Sequence, residues 1–158
     1  MPDVRALSVF QAQLEQGLWR SRHLQALAED PKSREMFLAI IECTKGFHSS
    51  RTPDLTPQQL QKLGSRNTLC LCNSTCPAET QVWTDCVRAA AKAYKEKAPP
   101  PRDDCNAWRK ELERCTQRQA AVLLSSAVVP PVAAGIWPDD EPATSVSAAY
   151  HGSSTADS

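Results

Sequence analysis

The sequence predicts an all-α protein: a disulfide-stapled antiparallel helical hairpin, with an appended N-terminal helical region and a disordered C-terminal tail. Three observations predict it. Apolar residues recur at three- and four-residue steps along much of the chain; two stretches, "CPAETQVWTDC" (76–86) and "CNAWRKELERC" (105–115), each set cysteines ten positions apart; and from Pro130 onward proline, alanine, serine and acid replace any sustained apolar period. These divide the 158 residues into amphipathic helices over 1–64, the hairpin over 65–128 with a Cys-x-Cys pair at its start, and the tail over 129–158.

In residues 4–29, Leu7, Phe10, Leu14, Leu18, Leu24 and Leu27 stand among Gln, Glu and Arg, the pattern of an amphipathic helix. Asp30 before Pro31 is a cap followed by a first-turn proline, and Phe37, Ile40, Ile41 and Thr44 share one face ahead of Gly46, so a second helix is expected over 31–45. After the turn-rich "HSSRTPDLTP", Thr56 caps a short helix that Gly64 is expected to stop. "SRNTLCLCNST" (65–75) has no helical period and is read as irregular, with Ser74 or Thr75 opening the next helix. Trp83, Cys86, Val87, Ala90 and Tyr94 then mark one arm of the hairpin; "APPPRDD" breaks it, and Asp104 caps the second arm, where Cys105, Trp108, Leu112 and Cys115 edge one stripe.

Ten helical residues rise about 15 Å, so Cys76 and Cys86 can neither bond to each other nor share a metal, whose ligands lie about 2.0–2.3 Å from the ion. On antiparallel arms the four thiols instead fall at two matching levels. Nesting about the turn at Pro99–Pro101 pairs Cys76 with Cys115 and Cys86 with Cys105. Two arms this short bury too little to be stable alone, and the inner bridge contributes roughly 3 kcal/mol by constraining the unfolded chain.

Charge excludes some functions. The 18 basic and 18 acidic side chains balance, no basic stripe emerges, and no Lys or Arg follows Arg118, which argues against nucleic-acid binding. The first thirty residues lack the apolar block of a secretory signal, and Asp3 and Glu15 sit poorly in a matrix presequence. "AAVLLSSAVVPPVAAGIW" (120–137) is uncharged, but Pro130 and Pro131 interrupt it, so no membrane span is expected and any membrane association is peripheral. "NST" (73–75) is read as a helix cap rather than a glycosylation site, and His23, His48 and His151 form no metal spacing with any cysteine. No nucleotide loop, carboxylate pair or hydrolase elbow is present.

The spacing C-x9-C, eighteen residues, C-x9-C resembles the twin CX9C, or coiled-coil-helix-coiled-coil-helix, family of mitochondrial intermembrane-space proteins, over residues 72–118. The resemblance implies import in the reduced state without a cleaved presequence, and oxidation by the disulfide-relay oxidoreductase of that compartment as a transient partner. The relay recognises a docking cysteine with an aromatic and a second apolar residue on its helical face. Trp108 and Leu112 before Cys115 match that pattern, and Val82 and Trp83 before Cys86 match it in part. The same residues are also what a hairpin core requires.

Cys43, Cys70 and Cys72 remain, with three readings. Cys70 and Cys72 resemble the Cu(I) site of the copper chaperone for cytochrome oxidase assembly, although Leu71 separates them where that chaperone has adjacent cysteines. They also resemble the redox pair of the relay oxidoreductase, with Leu71 in place of its proline. The third reading keeps Cys43 as a buried thiol, or pairs it with Cys70 or Cys72 to staple the N-terminal helices to the hairpin. The expectation is a non-enzymatic protein without a resident cofactor, serving the assembly or structure of a respiratory-chain complex, cytochrome c oxidase foremost. Its partners would be subunits or assembly factors bound through Phe10, Leu14, Phe37 and Ile41. A copper carrier, a thiol oxidoreductase and a mitochondrial ribosomal subunit are the alternatives.

Overall fold

The computed structural model describes residues 1–15, 31–101 and 104–126, and among them the protein is all-helical. Five helices follow in order: α1 (Arg5–Glu15), α2 (Pro31–Ser50), α3 (Pro57–Thr75), α4 (Pro77–Lys95) and α5 (Cys105–Ser126). The first predicted helix is seen as α1; its predicted continuation to residue 29, and the tail beyond residue 126, lie outside the described residues.

α2 runs five residues past its predicted end, through Gly46. α3 departs further from expectation: Thr56 caps it with a reciprocal pair, its hydroxyl accepting the Gln59 N–H while Gln59 Oε1 accepts the Thr56 N–H, but Gly64 does not end it. Residues 65–75, read as irregular, are helical because Leu63, Leu71, Cys72 and Thr75 form a buried face. The turn-forming side chains are redirected onto the helix itself. Thr68, Ser74 and Thr75 donate their hydroxyls to the carbonyls of Gly64, Cys70 and Leu71, so Ser74 and Thr75 do not cap the next helix. Cys76 alone joins α3 to α4, ending the one and opening the other ahead of Pro77.

α4 ends in a Schellman motif: Lys97 N–H donates to Tyr94 O and Ala98 N–H to Ala93 O, with Lys97 at φ 51°. α5 starts on Asp104, whose Oδ1 accepts the Asn106 N–H at 2.9 Å. α4 and α5 pack as the antiparallel hairpin, α3 lies on α2, and α1 lies on α5.

One core serves all five helices. Leu7, Phe10 and Leu14 of α1 meet Phe37, Ile40 and Ile41 of α2, Leu71 and Cys72 of α3, Trp83 of α4, and Leu112 and Leu123 of α5. Phe10 and Phe37 stand edge-to-face, ring centres 6.4 Å apart. A polar cluster joins three of these helices. The Gln11 and Asn67 amides exchange hydrogen bonds of 3.0 and 2.8 Å, and Gln11 Nε2 also donates to Thr44 Oγ1, tying α1, α2 and α3 with every member satisfied. The chain start is held to α5, Asp3 N–H donating to Glu113, which also receives Arg109 at 2.8 Å.

Candidate functional site

Seven cysteines make three bridges and one thiol. Cys76 bonds to Cys115 and Cys86 to Cys105, with Cα separations of 6.2 and 5.6 Å, the lower and upper rungs of the hairpin. The lower rung is buried in the core and the upper is half-exposed. Thr80 and Thr116 are buried beside the lower cysteines in sequence, their hydroxyls satisfied by the Cys76 and Glu113 carbonyls.

The third bridge joins Cys43 of α2 to Cys70 of α3. This corrects both readings that put Cys70 and Cys72 to joint use. Two helical residues rotate by about 200°, so these side chains leave α3 in nearly opposite directions. Cys70 turns to α2 and is bonded there, and Cys72 turns into the core. Neither a two-sulfur Cu(I) chelate nor a Cys70–Cys72 redox bridge is assembled. Burial, with the Glu113 charge adding to it, pushes the Cys72 thiol up to about 12, so it stays protonated at neutral pH and is a poor nucleophile.

The four residues matched to relay recognition occupy different environments. Leu112 is fully buried and Trp83 nearly so, whereas Trp108 and Val82 are 40% and 42% exposed. The proposed contact surface on the N-terminal helices is corrected as well: Phe10, Leu14, Phe37 and Ile41 are all buried against the base of the hairpin, so they are spent on the core.

Among the described residues nothing covers the hairpin's upper half. Along α4, Trp83, Val87 and Tyr94 follow one stripe, and their exposure climbs from 8% to 40% to 87% toward the turn. On α5 the gradient mirrors it, from exposed Trp108 to buried Leu112, Ala120 and Leu123. The N-terminal helices therefore clothe the lower rung and leave the upper one standing clear.

One group escaped sequence reasoning. The Glu79 carboxylate and the Cys76 and Cys115 sulfurs all lie within 4.8 Å of one another. The signal was available: Glu79 follows Cys76 by three residues, one turn along α4. Among the described residues no helix is long and apolar enough to cross a membrane. Comparison with family models, with curated proteins and with solved structures finds no match to this chain.

Proposed function

We propose that this chain is a non-enzymatic, disulfide-stapled helical protein of the mitochondrial intermembrane space that serves the assembly or structure of a respiratory-chain complex, with cytochrome c oxidase the first candidate. The observation that carries the reading is the pair of nested rungs, Cys76–Cys115 and Cys86–Cys105, on an antiparallel helical hairpin. Rungs of this kind suit a compartment that makes disulfides, and a chain oxidised by a relay there after import. A scaffold also accords with the remaining chemistry, since the one thiol is buried and protonated.

The partner surface in this reading is the projecting end of the hairpin, where Val87, Tyr94 and Trp108 offer apolar area that no described part of the chain covers. Trp108 serves first as the aromatic that the relay grips, then as part of that surface. Leu112 acts by packing.

The test is location and company. In purified mitochondria the protein is expected to resist protease until the outer membrane is ruptured. In mild detergent it is expected to sediment with an oxidase assembly intermediate. Recovery from the matrix, or co-sedimentation with ribosomes, would overturn the reading.

A further inference from the structure

We propose that the outer face of α4 is a membrane-docking surface: the upper half of this helix lies on an anionic phospholipid surface, with its lysines on the phosphates and Tyr94 among the headgroups.

Charge balances over the whole chain, but the helix gathers it locally. Residues 87–98 hold four bases and one acid, and Arg88, Lys92 and Lys95 recur at steps of four and three, a stripe that Lys97 extends into the turn. Val87, Ala91 and Tyr94 recur at the same steps one residue earlier, so an apolar ridge runs beside the basic one, and both are exposed. Cys86 turns to α5 to make the upper rung, and the three bases lie about 120–180° around the helix from it, on the side away from α5. The Arg88–Asp85 and Lys92–Glu96 pairs, at 3.8 and 4.0 Å and largely open to water, are too weak to occupy these cations. Among the described residues Lys95 and Lys97 have no carboxylate partner.

Three features select lipid over an acidic peptide. Three of the four bases are lysines, point charges on flexible stems that suit a diffuse field of phosphates, whereas paired recognition of carboxylates favours arginine. The face is the convex outer side of one helix, which lies along a flat surface but gives an extended peptide no groove. Tyr94, 87% exposed and flanked by Lys92 and Lys95, offers the apolar ring and polar hydroxyl that are stable at headgroup depth. The contact is one-sided and reversible, since among the described residues no helix is long and apolar enough to cross a membrane. The inference stands on the face of α4 alone: it adds a lipid to the projecting end proposed above as the partner surface, leaves Trp108 of α5 to the protein partner, and holds whichever complex is served.

The experiment uses the full chain, oxidised, with its three bridges verified by peptide mapping. It is sedimented with vesicles of phosphatidylcholine alone and of phosphatidylcholine with about a third phosphatidylglycerol. Binding to the anionic vesicles is expected to be at least about tenfold tighter, and to be lost between about 0.1 M and 1 M salt. Lys92→Gln with Lys95→Gln, both exposed, should weaken it about thirtyfold, about fivefold for each charge, with helicity unchanged by circular dichroism. Tyr94→Ala should weaken it severalfold. The same charge loss elsewhere on the surface, Lys32→Gln with Lys62→Gln, should leave it as it was. No binding to anionic vesicles, equal binding to neutral ones, or equal losses from the two lysine pairs each overturns the proposal. So does a tighter hold on soluble polyglutamate or on an RNA homopolymer, which would make the stripe a site for a protein or a nucleic acid. Vesicles are read on the purified chain and location in the organelle, so this inference and the proposed function can fail separately.

Discussion

A lone cysteine in a chain of disulfides invites assignment as a reactive group, and Cys72 shows why its surroundings decide instead. It is fully buried beside Leu71, and burial raises its thiol from an ordinary 9.0 to about 12. The shift makes the folded state dependent on alkali. Between those two values the unfolded chain releases a proton that the native chain keeps, so stability is full below pH 9 and falls as pH rises toward 12, by about 1.4 kcal/mol per unit. Urea unfolding should therefore show the wild type losing about 1.4 kcal/mol more than Cys72→Ala between pH 8 and pH 10. Equal losses would mean that the thiol is not held neutral. Trp108 and Leu112 form a second contrast of neighbours. Leu112→Ala should cost about 2–5 kcal/mol, because it opens a cavity where no surface is exposed. Trp108→Ala, from a site 40% exposed, should cost less than about 1 kcal/mol and, on the function proposed above, instead slow oxidation by the relay. A stability loss from Trp108→Ala as large as that from Leu112→Ala would return it to the core. Sequence spacing could place both residues on one stripe, but not say where along that stripe the covering layer stops.

At the level of elements, hidden periodicity explains the largest departure from expectation. The inner face of α3 runs Leu63, Asn67, Leu71, Thr75, every fourth residue, but two of the four are polar. An apolar search passes over it. Asn67, half-buried, takes its place on this face because Gln11 answers its amide, a partner 56 residues distant that local pattern cannot supply. The capping of α3 by Thr56 and of α5 by Asp104 was legible, since those signals need only the next three residues. Gly64 was misread because a glycine that ends a helix and one that merely weakens it look alike in sequence. Nothing lies within 4 Å of a methyl group added there, so Gly64→Ala should raise stability by about 0.5–1 kcal/mol, read from the urea midpoint. Lys97 presents the converse case. It holds φ at 51° in the Schellman turn, where glycine is the unstrained residue, and Lys97→Gly should stabilise the hairpin by up to about 1 kcal/mol. No gain from Gly64→Ala would show that α3 is not continuous through that residue, and none from Lys97→Gly that the Schellman end of α4 is not formed.

Across the whole molecule, bridges and core are graded in opposite directions. The N-terminal helices bury the lower rung and their staple to α3 leaves Cys70 only half-buried, while the upper rung lies beyond the covering layer. Fold class and the two rungs could be read from cysteine spacing because nesting is a property of a hairpin alone. The covering layer could not, because the apolar faces of α1 and α2, unpartnered in local sequence, find their partner within the same chain. That grading sets an order of chemical attack. Exchange requires a thiolate to reach a sulfur, and the half-exposed Cys86 and Cys105 offer that approach where Cys76 and Cys115, at 1% and 5% exposure, do not. Limited reduction by a dithiol, with trapping of new thiols and peptide mapping, should therefore label Cys86 and Cys105 first, Cys43 and Cys70 next, and Cys76 and Cys115 last. Loss of the upper rung should fray the hairpin end but leave most of the helical signal, since the core around Leu71, Leu112 and Leu123 lies below it. Loss of Cys43–Cys70 releases a loop of 27 residues and should cost roughly 3.5 kcal/mol, enough to expose the lower rung and let the remaining helices unfold together. If all three bridges are lost at one rate, the molecule opens only as a unit, and the projecting hairpin end has no independence from the base that carries it.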